Sequence, residues 1–190
     1  RSQNFVSGIE LNISSPNTAG LRIFHEPGRL RGLIEGLVAE KQVPLFVKLP
    51  PWPRDDENRR ELLKLAATAV NAGVDGLVIA NTHPIKSKRL QVGRGGLSGA
   101  PLFEHTELMI ADIQAQVQGE VAIIACGGVS TAEHVWKLLV SGASAVQLYT
   151  AFIYEGPGLP GRINKRLSKM MSAAGITKIG DISGEPPNIR

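Results

Sequence analysis

The stretch "AGVDGLVIAN", residues 72–81, decides the fold. It reads as a glycine stop, a short polar turn, an apolar strand and a polar terminus. "SGASAVQLYT" (141–150) repeats that order. Similar apolar runs stand at "IELNI" (9–13), "PLFVKL" (44–49) and "VAIIAC" (121–126). Each is too short for a helix and lacks the alternation of a half-exposed strand. Such runs suit strands buried on both faces of a parallel sheet.

Helical patterns fill the gaps. Leu62, Leu65, Ala66 and Ala69 fall on one face, with Gly73 as the stop. Ser130 and Glu133 form a capping box before Val135, Leu138 and Leu139, and Gly142 ends that helix. Strands joined by crossover helices give an α/β fold with parallel pairing.

Two architectures fit that pattern, a doubly wound open sheet and a (β/α)8 TIM barrel. No Gly-x-Gly-x-x-Gly follows the first strand, which weakens the dinucleotide-binding form. Polar residues gather instead at the C-terminal strand ends: Asn12, Lys48, Asn81, Gly127 and Tyr149. Barrel enzymes build their sites at that rim. A full barrel needs about 250 residues, and this chain has 190. The expectation is a partial barrel of about five strands, one domain over 1–190, with the first units preceding residue 1.

Composition narrows the function classes. Hydrophobic residues make up 43% and charged residues 20%, and no apolar run is long enough for a membrane span. One cysteine excludes an intrachain disulfide. The net charge of +4 and a pI near 9.4 allow an anionic ligand or surface. Lys and Arg are scattered and aromatics are 5% of residues, so no nucleic-acid partner is expected. His25, His83, His105 and His134 lack metal-ligand spacing, and no metal is expected. Trp52 and Trp136 are expected to pack, and "LYTAFIYEG" (148–156) to cover the barrel.

"SSPNT" (14–18) can be ordinary turn chemistry, with Ser and Asn bonding local backbone. Asn12 argues for more, because it sits inside the strand run, where Asn is poorly suited. Lys48 either snorkels outward or serves as a cation beside a group that gains negative charge. "GRGGLSGAPL" (93–102) is either a flexible connector or a backbone cradle for a ligand. Gly127-Gly128 and Tyr149-Thr150 follow the last two strands, where barrels hold phosphates.

"LNISSPNTAGLR", "VKLPP", "ANTH", "GGLSGAPL", "ACGGVST" and "VQLYTAFIYEGP" together resemble the dihydroorotate dehydrogenase family, in order and approximate spacing. The resemblance spans nearly the whole chain and is to the quinone-linked class 2, which carries serine as the base. It implies oxidation of dihydroorotate to orotate in pyrimidine synthesis, with FMN as the first acceptor and a quinone as the second. Ser15 would be the catalytic base, with Thr18 in its proton relay and Lys48 beside the flavin. Asn12, Asn17, Asn81 and Thr82 would hold the pyrimidine. Ala80, Ser98, Gly99, Gly127, Gly128, Tyr149 and Thr150 would contact FMN, Gly128 and the last two chiefly through its phosphate. Membrane association, peripheral to the inner membrane, would come from the missing N-terminal part.

The family usually carries Thr-Asn-Thr-Thr where this chain has Ala80-Asn81-Thr82-His83, which removes a hydroxyl near the flavin. Ala-Pro-Asp after the lysine becomes Pro50-Pro51-Trp52, Cys126 stands for a usual valine and Ala125 for a glycine. Two alternatives remain. One is a catalytically inactive half-barrel that self-associates through its open sheet edges. The other is a different flavin barrel, such as a dihydrouridine synthase or a dihydropyrimidine dehydrogenase domain.

Overall fold

Apolar runs bounded by glycine stops become strands in the computed structural model, which describes residues 5–15, 20–51 and 56–187. The chain begins with β1 (Ile9–Asn12), a 3-10 turn (Leu21–His25), α1 (Pro27–Val38), β2 (Leu45–Lys48), α2 (Asp56–Asn71) and β3 (Gly76–Ile79). A hairpin of β4 (His83–Lys86) and β5 (Arg94–Leu97) then leads through a 3-10 turn into α3 (Phe103–Val117). After it come β6 (Ala122–Cys126), α4 (Ala132–Val140), β7 (Ala145–Gln147), α5 (Thr150–Glu155) and α6 (Leu159–Ala173).

Five strands form one parallel sheet in the order β1-β2-β3-β6-β7, as the repeated junctions predict. Asn12 stands beside Lys48, Lys48 beside Val78, Val78 beside Ile124 and Ile124 beside Ala145. Leu45 and Val47 are buried, while Phe46 and Lys48, one residue out of phase, share the other face. The central strand β3 is buried throughout. That second face is concave. Glu10 and Gln147 lie on the two opposite edge strands, yet the Gln147 amide donates to the Glu10 carboxylate at 2.9 Å. A flat sheet of this width would hold those edges far beyond side-chain reach. At Gly76 a Cβ would come within 2.6 Å of the Phe46 ring and 2.7 Å of the Ala122 carbonyl, so glycine is required there.

The helices close the convex side. Leu62, Leu65, Ala66 and Ala69 are buried along α2, and Gly73 takes the left-handed conformation (φ 95°) that ends it. Trp136 packs as expected, 1% exposed, and its indole N–H donates to the Gly184 carbonyl at 3.0 Å.

Three local expectations change. The cap of α4 is Thr131, whose hydroxyl accepts from the His134 N–H at 3.1 Å, one residue beyond the predicted Ser130. Ser130 contacts the His134 ring instead, its N–H donating to Nδ1 at 3.3 Å. The stretch 93–102 is not all loop, since Arg94–Leu97 pairs antiparallel with His83–Lys86. The 148–156 stretch covers little: Tyr149, Ile153 and Tyr154 are exposed. Trp52 lies outside the described residues.

Candidate active site

The site starts from register. Asn12 and Lys48 end adjacent parallel strands side by side, so their side chains leave the sheet together. Beyond β1 the chain turns on Asn12, whose Oδ1 accepts from the Ser14 N–H at 3.1 Å. The Ser14 hydroxyl donates to the Lys48 carbonyl at 3.3 Å, tying this loop to the end of β2.

Asn81, two residues past β3, joins the third strand end to the first. Its amide nitrogen donates to Asn12 Oδ1 at 3.2 Å and to the Ser14 hydroxyl at 3.0 Å. Its Oδ1 accepts from the Thr82 N–H at 2.8 Å. Asn12, Asn81 and Thr82 therefore meet at one rim, as their sequence positions suggested. Ser15 follows, half-buried, next to this cluster. Asn17 and Thr18 fall outside the described residues.

Lys48 is largely buried, its side chain 15% exposed, and its ammonium lies 3.3 Å from Glu10. Glu10 accepts from Gln147 on its other oxygen. A polar bridge thus crosses the concave face from β2 through β1 to β7. Sequence reading missed Glu10, Ser14 and Gln147. The available signal was period two: Glu10 lies two residues before Asn12 and so shares its face.

His25 braces the cluster from behind. Its Nε2 is 3.2 Å from the Ile13 carbonyl, an arrangement that needs the proton on Nε2. Burial lowers the His25 pKa, with the Arg22 charge adding to the effect against that hydrogen bond. Beside it a cavity of about 380 Å³ is walled by Ser14, Thr82, His25, Pro50 and Leu62. That volume is within the range of small-ligand sites.

The glycine loops gather on the same rim. Gly127 and Gly128 have φ of 144° and 76°. A Cβ at Gly128 would stand 2.4 Å from the Phe103 nitrogen, and one at Gly127 2.5 Å from the Thr106 hydroxyl. Gly99, at φ 81°, would bring a Cβ within 3.0 Å of Thr150. The loop after β6 therefore packs closely on the start of α3, and Gly99 packs on the start of α5. Tyr149 and Ser98 are exposed and Ala80 is buried. Left-handed glycine backbone at Gly99, Gly127 and Gly128 and the Lys48 ammonium are donor types that suit a phosphate-bearing flavin. Among the described residues no group of three or more His, Cys, Asp or Glu could hold a metal.

The family model for dihydroorotate dehydrogenase matches residues 1–171. The chain is 39% identical over 186 residues to a dihydroorotate dehydrogenase (quinone) of Rhizobium leguminosarum, covering 90% of this chain and 50% of that protein. To a mitochondrial dihydroorotate dehydrogenase (quinone) of Arabidopsis thaliana it is 37% identical, covering 93% of this chain and 40% of that one. A crystal structure of DHODH from Eimeria tenella in complex with ferulenol superposes with a TM-score of 0.82 at 33% identity. That likeness covers 96% of this chain and 54% of the Eimeria chain. The chain spans about half the length of the curated relatives it matches.

Proposed function

The chain belongs to the dihydroorotate dehydrogenase family, and from that membership we propose that it forms the substrate rim of an enzyme oxidising dihydroorotate to orotate. The acceptors are FMN and then a quinone, the latter inferred from the names of the relatives. The observation that carries this reading is the Asn12–Ser14–Asn81 cluster, set beside Lys48 at the ends of three adjacent strands.

The substrate ring presents alternating carbonyl and N–H groups, and a carboxamide can both donate and accept along such an edge. Asn12, Asn17, Asn81 and Thr82 hold that edge. Ser15 takes the proton from C5 of dihydroorotate. An alcohol is a weak base at neutral pH, so the proton must pass onward, with Thr18 as the first station. FMN, when bound, supplies a two-electron acceptor. Lys48 would offset the negative charge that accompanies reduction, its ammonium held by Glu10. Gly128, Tyr149 and Thr150 serve chiefly the phosphate, with Ala80, Ser98, Gly99 and Gly127 around the rest of the FMN. Peripheral association with the inner membrane is part of the same reading. No helix among the described residues is long and apolar enough to cross a membrane.

Dihydroorotate added to the flavin-loaded protein should bleach the flavin's visible band. Ser15→Ala should slow that bleaching at neutral pH by about 10²–10⁴-fold. A flavin-loaded protein indifferent to dihydroorotate refutes the reading, and an unimpaired Ser15→Ala refutes the choice of base.

A second reading rests on the open sheet edges at β1 and β7. As a 190-residue chain, this half-barrel is a self-associating, inactive piece of the longer enzyme. Sedimentation decides: a flavin-loaded monomer contradicts it.

A further inference from the structure

From residue 76 to residue 103 the chain has no acidic side chain, yet it carries Lys86, Lys88, Arg89 and Arg94. The β4–β5 hairpin brings all four together. Lys86 and Arg94 are directly opposed in the antiparallel register, and both are exposed. Like charges opposed in this way repel, and among the described residues no carboxylate pairs with any of the four. Lys88 and Arg89 extend the charge into the turn, which is tied by the Ser87 N–H to the Gly93 carbonyl at 3.0 Å. The hairpin's other face packs: Ile85 and Leu97 line a cavity with Leu102 and His105. The four cations are thus held together on the outer face and the tip, with no ion pair to a carboxylate among the described residues.

We propose that this hairpin is a contact surface for an anionic phospholipid bilayer. An anionic surface removes the Lys86–Arg94 repulsion and lets every cation at the tip approach one plane. The apolar residues choose the bilayer over a soluble polyanion. Leu90 folds back over Gly95, and Val92 stands 76% exposed among the cations. A bilayer interface takes such a side chain in, whereas a dissolved polyanion leaves it in water. Residues 84–97 also contain no aromatic side chain on which the bases of a nucleic acid could stack.

The test is partitioning of the chain onto vesicles of phosphatidylcholine with and without phosphatidylglycerol, at low and high salt. It needs neither flavin nor turnover, so it succeeds or fails independently of the proposed activity. The chain should bind only the vesicles containing phosphatidylglycerol and should be released by salt. Each cation near such a surface contributes about fivefold, so K86E, a change of two unit charges, should weaken partitioning about 25-fold. K86E also turns a repelling pair into an attracting one with Arg94, so its thermal midpoint should be no lower than that of the wild type. K165E/K169E on α6 removes at least as much net charge and should leave most of the binding intact. V92W should show a blue-shifted emission on anionic vesicles. The proposal is overturned by equal binding to neutral vesicles, by K86E binding like the wild type, or by K165E/K169E losing as much as K86E. RNA binding without vesicle binding would overturn it too.

Discussion

Asn81 ties two strand ends together because its amide nitrogen reaches both Asn12 and Ser14 while its oxygen holds the Thr82 N–H. Asn81→Ala removes these bonds at once and should lower chemical-denaturation stability by about 1–3 kcal/mol. The histidines give a pH prediction. Burial lowers the His134 pKa, with Lys137 adding to the effect and Glu133 and Glu107 opposing it. His134 Nδ1 also accepts from the Ser130 N–H, which a proton there would prevent. His25 shifts in the same direction. Both are therefore neutral in the fold and take up protons more readily when unfolded. Their contribution to stability is full above about pH 6.5 and is lost as the pH falls through the lowered folded values. Thermal midpoints should drop on that acid limb, and a His25→Gln/His134→Gln double variant should flatten it. At this scale the sequence was informative where a residue type clashed with its surroundings, as Asn12 and Lys48 do at the ends of apolar strands. Glu10, between Ile9 and Leu11, clashes in the same way and was overlooked. Its partner Gln147 is 137 residues away, and only the curl of the sheet brings the two together.

Glycine and cap geometry set the elements. Gly128 sits at φ 76° with the Phe103 backbone 2.4 Å from where a Cβ would be. Gly128→Ala should cost more than about 2 kcal/mol, and it should weaken FMN binding measured by fluorescence quenching. Thr131→Ala removes the cap of α4 and should cost about 1 kcal/mol in denaturant titration. The parallel strands were legible as apolar runs between glycine stops, although the expected burial on both faces holds only for β3, and β1, β2 and β6 alternate because their second face lines the concave side. The β4–β5 hairpin was not. Its strands read "HPIK" and "RGGL", with neither alternation nor β-branched enrichment, and pairing geometry alone makes them strands. The capping box was misplaced by one residue because Ser130 and Thr131 are both competent caps, and packing of His134 on Phe103, with ring centroids 4.0 Å apart, selects the second.

At the scale of the molecule, five parallel strands curl far enough for opposite edges to touch through Glu10 and Gln147, yet β1 and β7 each pair on one side only. On the second reading the isolated chain sediments as concentration-dependent oligomers, and on the first the flavin-loaded chain sediments as a monomer. A partial barrel was legible from the repeated junctions and their spacing, whereas its curvature follows from contacts that no local pattern encodes. Whether this rim holds a pyrimidine beside a flavin is read by orotate titration of the FMN-loaded protein, followed by flavin absorbance. Orotate should give a saturable spectral shift, with an affinity that Asn81→Ala weakens at least about tenfold. A flavin-loaded protein with no orotate-dependent shift, or an Asn81→Ala variant that binds orotate as tightly as the wild type, would contradict it.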